Sequence, residues 1–247
     1  MPRIAKAYIA LVLCSGAAVL LLAARSWSPA SLAQFLTLLG FAAVSSTLKI
    51  RIPRLESSMS PSFVFLLLAM LCSSFSEVVA IALVAALVQS LWAAKRLRLV
   101  QVAFSAAALV LSASVAFEFS HFLLGASASD SPVVVAVLAG SLYLPLNTAL
   151  ISAVIGLVEG KRLVQVGGAC FECVFPYFMS GIVFAGLVIS AFPRSTVWNG
   201  AVALFPIVVL GYLYSQYRTR TVAPAPVQPA SKEEEELVEV GSYQPLR

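Results

Sequence analysis

Two acidic or amide-bearing patterns in this chain have the types and spacing for chemistry. Glu118 and His121 are three apart, so on a helix they share one face, where a carboxylate can hold an imidazole charged or fix its tautomer. That makes them a candidate pH-sensitive or proton-handling pair, against the competing reading of two ordinary groups at the outer water interface. Gln89, Asn147 and Glu172 are polar groups embedded in long apolar runs, where a side-chain amide or carboxylate either satisfies a neighbouring helix or contacts a ligand. Asn147 follows Pro145, and Glu172 precedes Pro176; each proline frees a backbone carbonyl, as in helices broken around a binding site. Cys170-Phe171-Glu172-Cys173 has the spacing of a redox or metal pair. It lacks a second such pair, and the single His is at 121, so a zinc site is not completed. All four cysteines lie in apolar runs and read as small hydrophobes. No HExxH, phosphate-binding glycine loop, GxSxG or pair of intramembrane aspartates is present. The expectation is a protein that is not an enzyme and takes no cofactor or metal.

The elements that must position these residues are membrane spans. Of the 247 residues, 60% are hydrophobic and 11% charged, too little polar surface to cover a water-soluble globule. The basic residues stand at the ends of apolar runs, so the positive net charge reflects topology and not nucleic-acid binding. Residues 1–24 continue apolar beyond the core of a secretory signal and read as an uncleaved first span. Further spans are expected over residues 32–48, 78–94, 99–124, 132–158, 170–192 and 197–214. A shorter apolar run opens at Met59-Ser60-Pro61-Ser62-Phe63, ends near Ser76 and is followed by Glu77. It is either a short crossing or a re-entrant element. A crossing is favoured, because a re-entrant segment would flip every later basic cluster to the other side. The sequence thus predicts an all-α, polytopic transmembrane helix bundle of about eight spans, the third one short. Lys49/Arg51/Arg54, Lys95/Arg96/Arg98, Lys161/Arg162 and Arg218/Arg220 then share one side with Arg3 and Lys6, while Arg25 and Arg194 fall opposite. The positive-inside rule puts both termini in the cytoplasm. Glu159-Gly160-Lys161 reads as a helix end with a glycine stop. Residues 1–220 form the expected membrane domain. Residues 221–247, a Pro/Ala linker followed by Glu233-Glu234-Glu235-Glu236, lack the apolar mass to fold and are expected to form a disordered cytoplasmic tail.

A set of residues between Lys49 and Ala191 resembles a known family. The set comprises Lys49, Pro53 and Ser60-Pro61-Ser62-Phe63-Val64-Phe65, then Glu77, Gln89 and Val102-Ala103-Phe104-Ser105. It continues with Asn147-Thr148, Glu159-Gly160-Lys161, Phe175-Pro176-Tyr177-Phe178 and Gly181. Together they resemble the N-terminal membrane region of acidobacterial-type signalling proteins, in which a membrane module precedes an HD-type phosphohydrolase or GGDEF diguanylate cyclase domain. The resemblance implies a bacterial inner-membrane protein that senses or anchors. The chain departs from the pattern at Ser105, where an asparagine is expected, and at Cys170–Cys173, where an aromatic-rich stretch is expected. No HD pair and no GGDEF sequence follow Arg220. The implied function is that of a stand-alone sensor or anchor module, binding a ligand or a cytoplasmic signalling partner without catalysis. The alternative from a different class is a small-solute carrier or the membrane substrate-binding subunit of a transporter, with Gln89, Asn147 and Glu172 lining its cavity. In either case the expected partners are the lipid bilayer and a cytoplasmic signalling or transport subunit, and not nucleic acid.

Overall fold

The computed structural model describes residues 2–28, 31–48, 50–51, 58–59, 61–93, 99–127, 132–160 and 163–192 and positions 202 and 207; for part of this set, Glu172 included, it describes the backbone alone. The elements are α1 (Arg3–Arg25), α2 (Leu32–Thr47), the two-residue strands β1 (Ile50–Arg51) and β2 (Ser58–Met59), α3 (Ser62–Cys72), α4 (Phe75–Ala93), α5 (Leu99–Ser127), α6 (Pro132–Glu159) and α7 (Leu163–Ala191). β1 and β2 pair antiparallel, Ile50 opposite Met59. The chain divides into Met1–Tyr212 and Leu213–Arg247. The second unit, which contains the whole of the expected tail, lies outside the described residues.

This is a polytopic all-α membrane protein, but the count of about eight spans is corrected. The described residues form seven helices, and four stretches are long and apolar enough to cross a membrane: Arg3–Arg25, Phe75–Trp92, Leu99–Leu123 and Val133–Val158. α2 has 16 residues and rises about 24 Å, and α3 has 11 and rises about 16 Å, against roughly 30 Å of hydrocarbon. α3 is therefore not the crossing expected of the third segment. Of α7, the stretch Phe178–Ala191 falls short of that length, and the span expected over 197–214 lies outside the described residues save for positions 202 and 207.

α3 is the centre of the bundle. Every residue from Ser62 to Leu71 is buried, none more than 7% exposed. Its sequence, SFVFLLLAMLC, is apolar on all sides, which suits a helix enclosed by others rather than one with a single buried face. α2, α4, α6 and α7 pack around it. Lipid is as apolar as leucine, so close packing and polar contacts hold such helices together. Three glycines make the approach possible. A Cβ on Gly16 would lie 2.7 Å from the Ala107 Cβ and 2.9 Å from its Cα, at the seam of α1 and α5. A Cβ on Gly140 would meet Ile182 of α7 at 2.5 Å, and one on Gly181 would meet Phe63 of α3 at 3.1 Å. The Tyr8 hydroxyl donates to the Leu150 carbonyl at 3.1 Å and ties α1 to α6. Gly160, with φ +69°, ends α6 in the left-handed conformation, the glycine stop read from the sequence.

Candidate functional site

A helix that ends inside a protein leaves backbone carbonyls at its C-terminus and amides at its N-terminus for other groups to satisfy. At the C-terminal end of α3 the chain turns through Ser73-Ser74 into α4. The Ser73 amide donates to the Ala69 carbonyl at 2.8 Å, and Gln34 of α2 reaches across to donate its Nε2 to the Cys72 carbonyl at 3.0 Å. The Cys72 thiol donates to the Leu68 carbonyl at 2.8 Å. On the α4 side, Ser74-Phe75-Ser76-Glu77 carries the Ser-x-x-Glu spacing of a capping box. Glu77 Oε2 accepts from the Ser74 amide at 2.7 Å and from the Ser74 hydroxyl at 3.0 Å, and the Val78 amide donates to the Ser74 carbonyl at 3.0 Å. Ser74 and Ser76 hydroxyls lie 3.2 Å apart. Glu77 is 2% exposed, Gln34 is 8% exposed, and the Ser73 Oγ is buried with no hydrogen-bond partner among the described residues. The elbow between α3 and α4 is thus a largely buried polar knot in a bundle packed mainly through apolar contacts.

The other end of α3 is aromatic. Phe63, in the first turn, packs on Phe178 of α7 at a centroid distance of 4.0 Å and on Tyr143 of α6 at 5.2 Å, and Tyr143 and Phe178 lie 5.9 Å apart. All three are buried. Gly181, one turn from Phe178, has no side chain to obstruct Phe63, which explains how the ring enters between α3 and α7. Pro61 caps this end without a side-chain hydrogen bond.

The residues singled out by sequence fall in three places. Asn147 is half-buried on α6, one turn beyond Tyr143 and on the same face, with Pro145 between them inside the continuous helix. Gln89 is half-buried on α4, 12 residues beyond Glu77 and so about 18 Å further along the helix. Glu172 belongs to the described backbone of α7, six residues before Phe178. Of this trio, Asn147 is the one four residues from a member of the aromatic cluster, Tyr143. Among the described residues no hydrogen bond joins Gln89 to Asn147. Glu118 and His121 are both exposed on α5, and among the described residues no ion pair links them. The His121 Nδ1 lies 2.9 Å from the Phe117 carbonyl, and the ring stacks on Phe117 at 4.1 Å. A carbonyl only accepts, so Nδ1 carries the proton, and the helix backbone rather than Glu118 sets the tautomer. Phe117 in turn packs on Phe75 at 5.9 Å, which brings His121 near the start of α4.

The sequence reading passed over Gln34, Ser73, Ser74 and Glu77 as functional candidates. The Ser-x-x-Glu spacing was a visible signal for Ser74 and Glu77, and Ser31-x-x-Gln34 carries the same capping spacing at the start of α2; nothing in the sequence marked Ser73 or the reach of Gln34 to α3. Among the described residues no group of three or more His, Cys, Asp or Glu side chains comes together to hold a metal. Compared with protein-family models, with curated proteins and with solved structures, the chain has no match.

Proposed function

We propose that the protein is a non-catalytic module of a bacterial inner membrane that binds a small ligand or a cytoplasmic signalling chain, as the resemblance to signalling membrane regions implies. The observation that carries this reading is α3, a helix enclosed on every side and too short to cross. Ending a helix inside a bundle costs polar caps that a continuous span does without. Gln34, Ser74 and Glu77 supply them at one end. At the other end the first turn of α3 packs on Tyr143 and Phe178, and Asn147 follows four residues beyond Tyr143 on α6. An element built at that cost suits a binding role better than simple anchoring. A second reading, a small-solute carrier or the membrane substrate-binding subunit of a transporter, is favoured by the same break at Ser73-Ser74, since carriers form their sites from discontinuous helices.

Native mass spectrometry of the protein, extracted gently from its own membrane with lipids and associated chains retained, tests both readings. A co-purifying signalling chain is the result expected of the sensor module, and an energising subunit that of the transporter. A bare chain holding a small molecule supports a self-contained binder or carrier. A bare chain with neither ligand nor partner, at full recovery of folded protein, overturns the binding reading.

A further inference from the structure

Glu172 is the one acidic or basic residue of α7. Its depth follows from how α7 runs against α6. A Cβ on Gly140 would meet Ile182, the Tyr143 and Phe178 rings lie 5.9 Å apart, and a Cβ on Gly186 would meet Val133 at 3.9 Å. These three pairs set one antiparallel register, in which the backbone of Glu172 is level with residues 147–150 of α6. That level is about 12–17 Å short of Val158, where the crossing stretch of α6 ends. Glu172 therefore belongs to the middle of a hydrocarbon layer roughly 30 Å thick.

No Lys, Arg or His occurs in α7 or in α3 and α6, on which it packs. The titratable groups of these helices are Cys72 of α3, Tyr143 and Glu159 of α6, and Cys170, Cys173 and Tyr177 of α7 itself, none of them a cation. A carboxylate at that depth takes a proton or a positive charge from elsewhere. Phe171 and Phe175, one residue before it and three after, are 38% and 41% exposed, and their rings lie 5.3 Å apart. Phe175 shares the helix face of Glu172. Aromatic faces attract cations, most strongly away from water.

From this juxtaposition we infer that the α6–α7 pair binds a lipophilic organic cation that enters from the bilayer, with Glu172 as its counter-ion and Phe171 and Phe175 as its aromatic wall. Hard metal ions draw on several oxygen ligands at once, and neither α6 nor α7 supplies a second carboxylate at this level. An organic cation brings apolar surface that lipid and the two rings can cover. The inference rests on the reading that the module binds a small ligand, and gives that ligand its chemical class.

The test uses the purified full chain in micelles and tetraphenylphosphonium as the probe, with binding followed by equilibrium dialysis against protein-free micelles. Tetraphenylphosphonium should bind saturably, and tetraphenylborate, of the same shape and opposite charge, should not. Glu172→Gln should weaken binding about a hundredfold, whereas Glu172→Asp keeps the charge and should stay within about tenfold of the wild type. Phe175→Leu removes the ring, keeps the apolar bulk and should weaken binding about fivefold. Wild-type binding should also weaken from about pH 9 to 4, since a proton competes for the carboxylate. That profile decides the matter if unfolding in mixed micelles shows that Glu172→Gln is not folded. No saturable binding, equal binding of the two probes, undiminished binding by folded Glu172→Gln, or an affinity indifferent to pH overturns the inference. A chain that holds a signalling partner or a neutral molecule in native mass spectrometry, yet does not bind tetraphenylphosphonium, leaves the proposed function standing while this inference fails.

Discussion

Gly16→Ala and Gly40→Ala are the same chemical change on two helices, and the structure assigns them opposite outcomes. Replacing a mid-helix glycine by alanine restricts the unfolded chain and gains about 0.5–1 kcal/mol wherever the methyl group finds room. Gly40 of α2 has nothing within 4 Å of the added carbon, so Gly40→Ala should show that gain. The same carbon on Gly16 would stand 2.7 Å from the Ala107 Cβ and 2.9 Å from the Ala107 Cα. Carbon atoms prefer about 3.5–4.0 Å, so α1 and α5 must part by the better part of an ångström. Backbone cannot rotate away as a side chain can, and overpacking of this kind costs about 1–3 kcal/mol. Because the intrinsic glycine-to-alanine gain is common to both variants, it cancels in their difference, which isolates the packing at the α1–α5 seam. Reversible unfolding of the two variants in mixed micelles, titrated with a denaturing detergent, measures that difference. Gly16→Ala should lie about 1–3 kcal/mol below Gly40→Ala. Equal stabilities would mean that α1 does not pack on α5 at Gly16, and that the contact through Ala107 is wrong.

Two further outcomes follow from the ends of α3. Gln34→Ala should cost about 0.5–1.5 kcal/mol in the same unfolding titration by removing the donor to the Cys72 carbonyl; an unchanged midpoint would show that α2 does not cap α3. Phe63→Ala opens the aromatic cluster among α3, α6 and α7 and should lower stability by about 3–5 kcal/mol, whereas a loss below about 1 kcal/mol would place Phe63 outside the packed core.

The membrane character of the chain and most helix positions were legible because long apolar runs have few alternatives to helix in a bilayer. α1, α5 and α6 fall close to the runs read for them, and the glycine stop at Gly160 appears where Glu159-Gly160-Lys161 placed it. The third segment misled for a definite reason. Residues 62–76 are apolar almost without interruption, and hydropathy does not register that Ser73-Ser74 breaks the helix there; the local signal was Ser74-x-x-Glu77, a start signal for α4. The candidate site was legible only in part. Asn147 stands out in sequence as an amide next to a proline inside an apolar run, and it does lie one turn from the aromatic cluster. Gln34 stands in the first turn of α2, where a glutamine is unremarkable, and its partner is a backbone carbonyl 38 residues away that leaves no trace in the pattern.

The composition of α3 explains why those polar residues matter more than their number suggests. A helix with one apolar face is held in rotation by that face, since turning it would expose leucines and bury charges. α3 has no such face, as Phe63 to Leu71 are apolar and buried all round. Neither its rotation nor its depth can then be fixed by hydrophobicity, and both must come from features that break the symmetry of the cylinder. Two kinds are present. Shape fixes the first turn, where Phe63 fills the gap left by Gly181 and meets Tyr143 and Phe178. Directional hydrogen bonds fix the last turn, where Gln34 holds the Cys72 carbonyl and Ser74-Glu77 sets the angle of departure into α4. A ligand that altered either end would therefore be felt along the whole of α3, because nothing between the two ends gives the helix a preferred register of its own.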